Sequence, residues 1–239
     1  MINNDFDIGG LNIMPKGVWN DEMIHEWASK YVDPFDPEMV ESGSLDLRLS
    51  NLIRLPNPYW FDWFEKMNVV FGRMKWQGER TVNILRSSLE SHPIWQKPQE
   101  FDWHILWPGE FVLLSSIEKM ELLPHMTGLL VLKSTPGRLG LNHSHSGHGD
   151  PGFGYGDPSS WTFEVKNIGH APYILKAGKS IIQLRIDTMA EVPAINYAEK
   201  AENYNGQIMP TGARVASLTD DSSKTHTFDS PTQVKAITE

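Results

Sequence analysis

The residues best suited to chemistry lie between Lys133 and Glu164. Lys133-Ser134-Thr135 brings a cation and two hydroxyls, Pro136-Gly137 closes the group, and Arg138 adds a rigid, permanently charged fork that suits phosphate or carbonyl oxygens. A glycine- and histidine-rich loop then leads to the turn Asp150-Pro151-Gly152, where the glycines let backbone amides approach a ligand. Such residues are poor material for a core and good material for a site that holds a charged ligand. Each feature taken singly also fits a glycine-rich hairpin loop with a surface arginine.

Glu164 stands among Trp161, Phe163 and Val165, which predicts a strand buried on both faces or lying at an interface. A carboxylate there loses hydration, and its pKa rises unless it is paired. It is either an ion-pair partner of Arg138 or Lys166, or a general base or acid that works near neutral pH. His143, His145 and His148 invite a metal reading, because His-x-His on a strand puts both rings on one side and Asp150 adds an oxygen. The spacing marks no third strong ligand. The His-x-Glu…Pro-Cys-x-x-Cys signature of zinc nucleobase deaminases cannot occur, since the chain has no cysteine.

The elements that must position these groups read as mainly β. Ser44-Leu45-Asp46-Leu47-Arg48-Leu49 alternates strictly, with the leucines on one face. Further strands are expected at Glu110–Ser116, Thr127–Leu132, Trp161–Val165, Tyr173–Leu175 and Ser180–Ile186, with breaks at Pro108-Gly109, Leu122-Leu123-Pro124 and Ala177-Gly178. Short strands between Gly/Pro turns point to a sandwich, jelly roll or barrel. One short helix is expected over 21–31, capped by Asn20 or Asp21, with Met23, Ile24, Trp27 and Tyr31 on one side. Residues 56–104 form an aromatic-rich insertion with Trp60, Trp63, Trp76, Trp95 and Trp103, and Trp107 just beyond it. Packing or subunit contact accounts for these rings, and stacking of one on a base is the alternative. Residues 1–217 are expected to form a single domain carrying that insertion, and 218–239 a polar tail.

The 239 residues carry a formal charge of -9, which argues against non-specific nucleic-acid binding. Without cysteine there is no disulfide or thiolate chemistry. The first residues lack a basic start and an apolar core, so no signal peptide is expected. The apolar runs fall short of the ~20 residues of a membrane span, so a cytoplasmic location is expected.

In order and spacing these motifs resemble those of dCTP deaminases within the dCTP deaminase/dUTPase superfamily. The family's Arg-Ser-Ser-x-x-Arg-Leu-Gly-Leu is similar to Lys133-Ser134-Thr135-Pro136-Gly137-Arg138-Leu139-Gly140-Leu141, and its Asp-Pro-Gly-aromatic turn to Asp150-Pro151-Gly152-Phe153. Its Leu-Glu-Phe-x-Asn strand resembles Phe163-Glu164-Val165-Lys166-Asn167, with looser matches at Ser44–Leu49, Trp107–Glu110, Ala177-Gly178 and 203–217. The resemblance covers 42–55 and 105–217. It implies a β-clip, a distorted jelly roll with short peripheral helices, assembled as a homotrimer with shared sites. It further implies zinc-free deamination of a deoxycytidine nucleotide, dCTP to dUTP and ammonia, with Mg²⁺ accompanying the phosphates. By position, Glu164 would handle the proton of the attacking water, and Ser134 and Arg138 would orient that water. Lys133, Thr135, His148, Gly149, Asp150, Phe153, Tyr204 and Gln207 would bind substrate, with Asp150 near the 3′-hydroxyl. The chain departs from the pattern where Lys133 replaces arginine, where the Asn142–Gly149 loop is shorter, and where the C-terminal segment lacks the usual lysine. A dUTPase or a bifunctional enzyme releasing dUMP and pyrophosphate is the alternative, and a non-catalytic nucleotide-binding trimer the third reading.

Overall fold

The structure, a computed structural model, describes residues 17–59, 94–143, 146–200 and 203–212. Trp60, Trp63, Trp76, His145 and the tail from Leu218 therefore lie outside the described residues. The described part is mainly β, a curled sheet of jelly-roll type in which eleven strands hydrogen-bond. No helix of the described residues is long and apolar enough to cross a membrane.

The chain enters through β1 (Gly17–Val18) and α1 (Asp21–Tyr31). Asn20 caps α1 by accepting from the Met23 amide at 3.1 Å, and Ile24, Trp27 and Ala28 are its buried residues. Short strands β2 (Val32–Asp33) and β3 (Val40–Glu41) lead to β4 (Ser44–Arg54), longer than the expected hexapeptide. Leu45, Leu47 and Leu49 are fully buried on one face, as the alternation requires. β4 then turns a corner, because its first half pairs with β13 (Ser180–Thr188) and its second half with β7 (Phe111–Met120), through an irregularity between Leu49 and Ile53. Between them, β5 (Gln99–Glu100) pairs with β4, and β6 (Trp103–Leu106) pairs with β12 (Tyr173–Lys176). Residues 99–100 and 103–106 are thus strand, paired with β4 and β12 respectively.

The strand β7 runs four residues beyond the expected end at Ser116, to Met120. The extension carries Glu118, fully buried, whose Oε1 accepts from Arg48 Nε at 2.6 Å and whose Oε2 accepts from the Arg48 amide at 2.9 Å. Burial raises the pKa of Glu118 above the ordinary carboxylate value, and the Arg48 hydrogen bonds oppose that rise.

The site-bearing stretch joins the two margins of the sheet. It leaves β8 (Met126–Leu132), forms the one-turn helix α2 (Ser134–Arg138), and adds β9 (Leu141–Asn142) to the edge of β11 (Ser159–Asn167). It then returns as β10 (His148–Gly149) to pair with β8 at the other margin. Gly140 takes φ +92 against Gly169, where a Cβ would collide with backbone. Gly149 lies under the Trp161 ring with no room for a side chain.

Asn167 closes the end of β11. Its Nδ2 donates to the carbonyls of Leu106 and Ala171, both at 2.9 Å, and its Oδ1 accepts from the Gly169 amide at 2.9 Å. Asn167→Ala leaves these buried groups unpaired and is expected to destabilise the protein by about 2–3 kcal/mol, read from a lowered urea midpoint at unchanged slope.

Candidate functional site

Glu164 sits mid-strand on β11. The core takes Trp161, Phe163 and Val165, whereas Thr162, Glu164 and Lys166 alternate onto the opposite, half-buried face. Within one chain the strand is therefore buried on one face and half-buried on the other, because alternation sends the two sets of side chains apart, and of the two expectations a strand lying at an interface is the one left. Among the described residues no ion pair joins Glu164 to Arg138 or Lys166, and the carboxylate-bearing residue has interactions of its own. Register places Arg54, Leu113 and Glu164 in one row across β4, β7 and β11. The Arg54 guanidinium gives a long hydrogen bond to the Gln96 carbonyl, 3.5 Å, and burial lowers its pKa. The row puts a poorly compensated cation on the same face as the carboxylate, roughly 10 Å away across two strand spacings.

The helix α2 presents Ser134, Thr135 and Arg138 outward, all exposed, and none of the three side chains has a hydrogen-bond or ion-pair partner among the described residues. Leu139, just after it, is 57% exposed. The Ser134 and Thr135 end opens onto a cleft of about 310 Å³. The Arg138 end packs near the close of β11, where the Ile168 amide donates to the Gly140 carbonyl at 2.8 Å. Glu164 lies farther back along that strand.

The other expected site residues take several positions. Lys133 is neutralised: its Nζ donates to Asp46, and Glu41 Oε1 lies 3.5 Å away. Asp150 is half-exposed, with Lys200 Nζ at 3.5 Å and His148 Nε2 at 3.6 Å. The Gly149 carbonyl accepts from the Thr127 hydroxyl at 2.8 Å, and the Gly147 carbonyl from the Leu130 amide at 2.7 Å. His143 points inward, edge-on to Phe163 at 5.8 Å with Nδ1 at 3.2 Å from the Glu164 carbonyl, whereas His148 is exposed. The His-x-His pair itself includes His145, which lies outside the described residues.

The Phe153 ring lies in the core, stacked on Trp161 at 4.2 Å. Gln207 is docked along β11: Nε2 donates to the Ser160 carbonyl at 2.8 Å, and Oε1 accepts from Thr162 at 3.3 Å. The Tyr204 amide donates to the Tyr197 hydroxyl at 2.8 Å. The segment 203–212 thus runs beside the face that carries Glu164, held also by the Thr211 amide donating to the Thr162 hydroxyl at 3.1 Å. Sequence reasoning did not reach Arg54 or Thr162; the register of three strands is what puts them on this face.

A family model described as dCTP deaminase-like matches residues 18–189. Among curated proteins, the chain is similar to "dCTP deaminase, dUMP-forming" of Salinispora arenicola, 34% identical over 187 residues, 77% of this chain and 85% of that protein. It is also similar to the protein of that name from Corynebacterium glutamicum, 31% identical over 188 residues, 77% and 86% of the two chains. Among solved structures, the 2′-deoxycytidine 5′-triphosphate deaminase of Agrobacterium tumefaciens aligns with a TM-score of 0.49 at 17% identity, covering 72% of this chain and 48% of that one. The EIAV dUTPase aligns with a TM-score of 0.34 at 19% identity, covering 39% and 73%.

Proposed function

The chain belongs to the dCTP deaminase-like family of enzymes, and we propose that it converts dCTP to dUMP, ammonia and pyrophosphate with two waters consumed. The observation that carries this reading is the naming of its relatives as dUMP-forming at 31–34% identity over most of the chain. The expectation of dUTP as final product gives way to the bifunctional alternative on that ground.

In the proposed chemistry, Glu164 takes a proton from water as it adds to C4 of cytosine and passes it to the departing amine. Ser134 and Arg138 hold the water and the charge that develops on the ring. Their exposure without internal partners, and the placement of Glu164 on an accessible face, support this assignment. Asp150 receives the sugar, with His148, Gly149 and the Phe153 backbone beside it, and Tyr204 and Gln207 hold the closing segment over Glu164. A second water then attacks the α-phosphorus of the bound dUTP, and pyrophosphate leaves.

A homotrimer with shared sites completes the constellation by setting α2 of one subunit against Glu164 of another. Residues 1–217 form the catalytic unit in this proposal, with an insertion between β4 and β5. Mg²⁺ in this proposal accompanies the nucleotide and neutralises its phosphates. The proposed place of action is the cytoplasm.

The test incubates purified protein with dCTP, dCMP or dUTP and Mg²⁺ and follows ammonia and pyrophosphate separately. Equal amounts of both from dCTP, with dUMP and no accumulation of dUTP, are expected. Ammonia without pyrophosphate would restore the dUTP-forming reading, and no ammonia from any cytosine nucleotide would end the deaminase reading.

A further inference from the structure

The cleft at the start of α2 is lined on one side by Lys133, Ser134 and Thr135 and on the other by Tyr173, Lys176 and Lys179. Its volume, about 310 Å³, is of the size that holds a small ligand. Lys176 ends β12, Lys179 follows, and Gly178 at φ +78 makes the tight turn that brings both to one rim. Among the described residues no carboxylate lines the cleft, although the chain as a whole carries -9.

The three lysines are not equivalent. The charge of Lys133 is consumed by Asp46 and Glu41. Lys176 and Lys179 are exposed, and neither has an ion-pair partner among the described residues. Burial raises the pKa of Tyr173, so its phenol stays an O–H donor at neutral pH. Ser134 and Thr135 add hydroxyls that have no hydrogen-bond partner among the described residues. A wall of free cations and hydroxyl donors with no acid is suited to a polyanion, and its local field attracts one despite the net charge.

We propose that Lys176 and Lys179 bind the phosphate chain of the nucleotide in this cleft, supplying the positive charge that Lys133 cannot. Ser134 is common to the cleft and to the reacting group of residues, so a base placed at Ser134 lets its phosphates run along the wall towards the turn. The identity of the nucleotide rests on the deaminase reading; the anion site itself does not.

The experiment compares the full-length protein with K176A/K179A, K176E/K179E and K176R/K179R, using inorganic tripolyphosphate by calorimetry and dCTP by steady-state kinetics. Each lysine lost is expected to weaken tripolyphosphate binding about tenfold, and the alanine pair roughly a hundredfold. KM for dCTP should rise in parallel, with the effect on KM larger than that on kcat. The arginine pair should bind within about threefold of the parent, and added salt should weaken the parent more than the alanine pair. The single variants Lys176→Gln and Lys179→Gln serve if a double variant fails to fold. Unchanged affinity for tripolyphosphate and unchanged KM in the folded alanine pair or in both glutamine variants would overturn the proposal, as would a parent protein that binds no tripolyphosphate. If the lysines prove necessary for tripolyphosphate but no cytosine nucleotide yields ammonia, the anion site stands and the deaminase reading falls.

Discussion

Glu164→Gln is expected to lower ammonia release from dCTP by about a thousandfold, within the range that a positioned acid–base group contributes. Glutamine keeps the size and the hydrogen-bonding reach of the side chain but cannot take the proton from water. The half-buried setting on β11, with the core contacts made by Phe163 and Val165, means that the fold should tolerate the change. Protection against heat by dCTP should persist, since the phosphates and sugar are held elsewhere. If sites are shared, mixing subunits of Glu164→Gln with subunits of Arg138→Ala, each inactive alone, should restore part of the activity after exchange. Full activity of Glu164→Gln would remove the carboxylate from its proposed role, and no recovery in the mixture would remove the sharing.

The second large effect is on stability. Glu118→Ala is expected to cost about 3–5 kcal/mol, because it strips the partner from the partly buried Arg48 and opens a space in the sheet interior. Arg48→Met should be similarly damaging, since it leaves a fully buried carboxylate with no cation. Replacing both by apolar residues should lose much less than the sum, a non-additivity that a double-mutant cycle in urea would read. The pH dependence has a definite sign. A carboxyl whose folded pKa is raised contributes stability that is full below its unfolded value and is lost as pH rises through the folded value. The parent should therefore lose stability relative to Glu118→Gln over the window that starts at the ordinary carboxylate range and ends above it. An identical pH profile for the two proteins would refute this.

Local pattern made some of this legible. Leu45, Leu47 and Leu49 alternate, and they are buried as a set. The Asn20 cap and the spacing of Ile24 and Trp27 mark α1 without help from the rest of the chain. What escaped depends on partners distant in sequence. The strand expected to end at Ser116 continues through Glu118, because Arg48 on the neighbouring strand makes the buried carboxylate tolerable. The helix α2 contains Pro136 and Gly137, poor helix formers, and no periodicity announces it; the Leu139 amide closes it on the Thr135 carbonyl at 3.1 Å.

The family pattern does not show that the Phe153 ring stacks on Trp161 or that the Gln207 amide donates to the Ser160 carbonyl, contacts that only the fold makes. Lys133 resembles the family's leading cation, and only the fold shows that Asp46 and Glu41 cancel it. Lys176 and Lys179 flank an ordinary-looking turn, and nothing in their spacing sets them beside Ser134.

The two outermost strands of the sheet, β9 and β10, are each only two residues long, and both come from the stretch that carries the chemistry. A long open margin would expose a row of free amides and carbonyls to any passing extended chain. Here one margin ends as the chain leaves Asn142, and the other is cut off at Gly149 by the turn through Pro151. Lengthening either strand would offer a template for uncontrolled pairing between molecules. The brevity of these segments is therefore a safeguard against aggregation, and loop insertions at this place should be tested for solubility as well as for turnover.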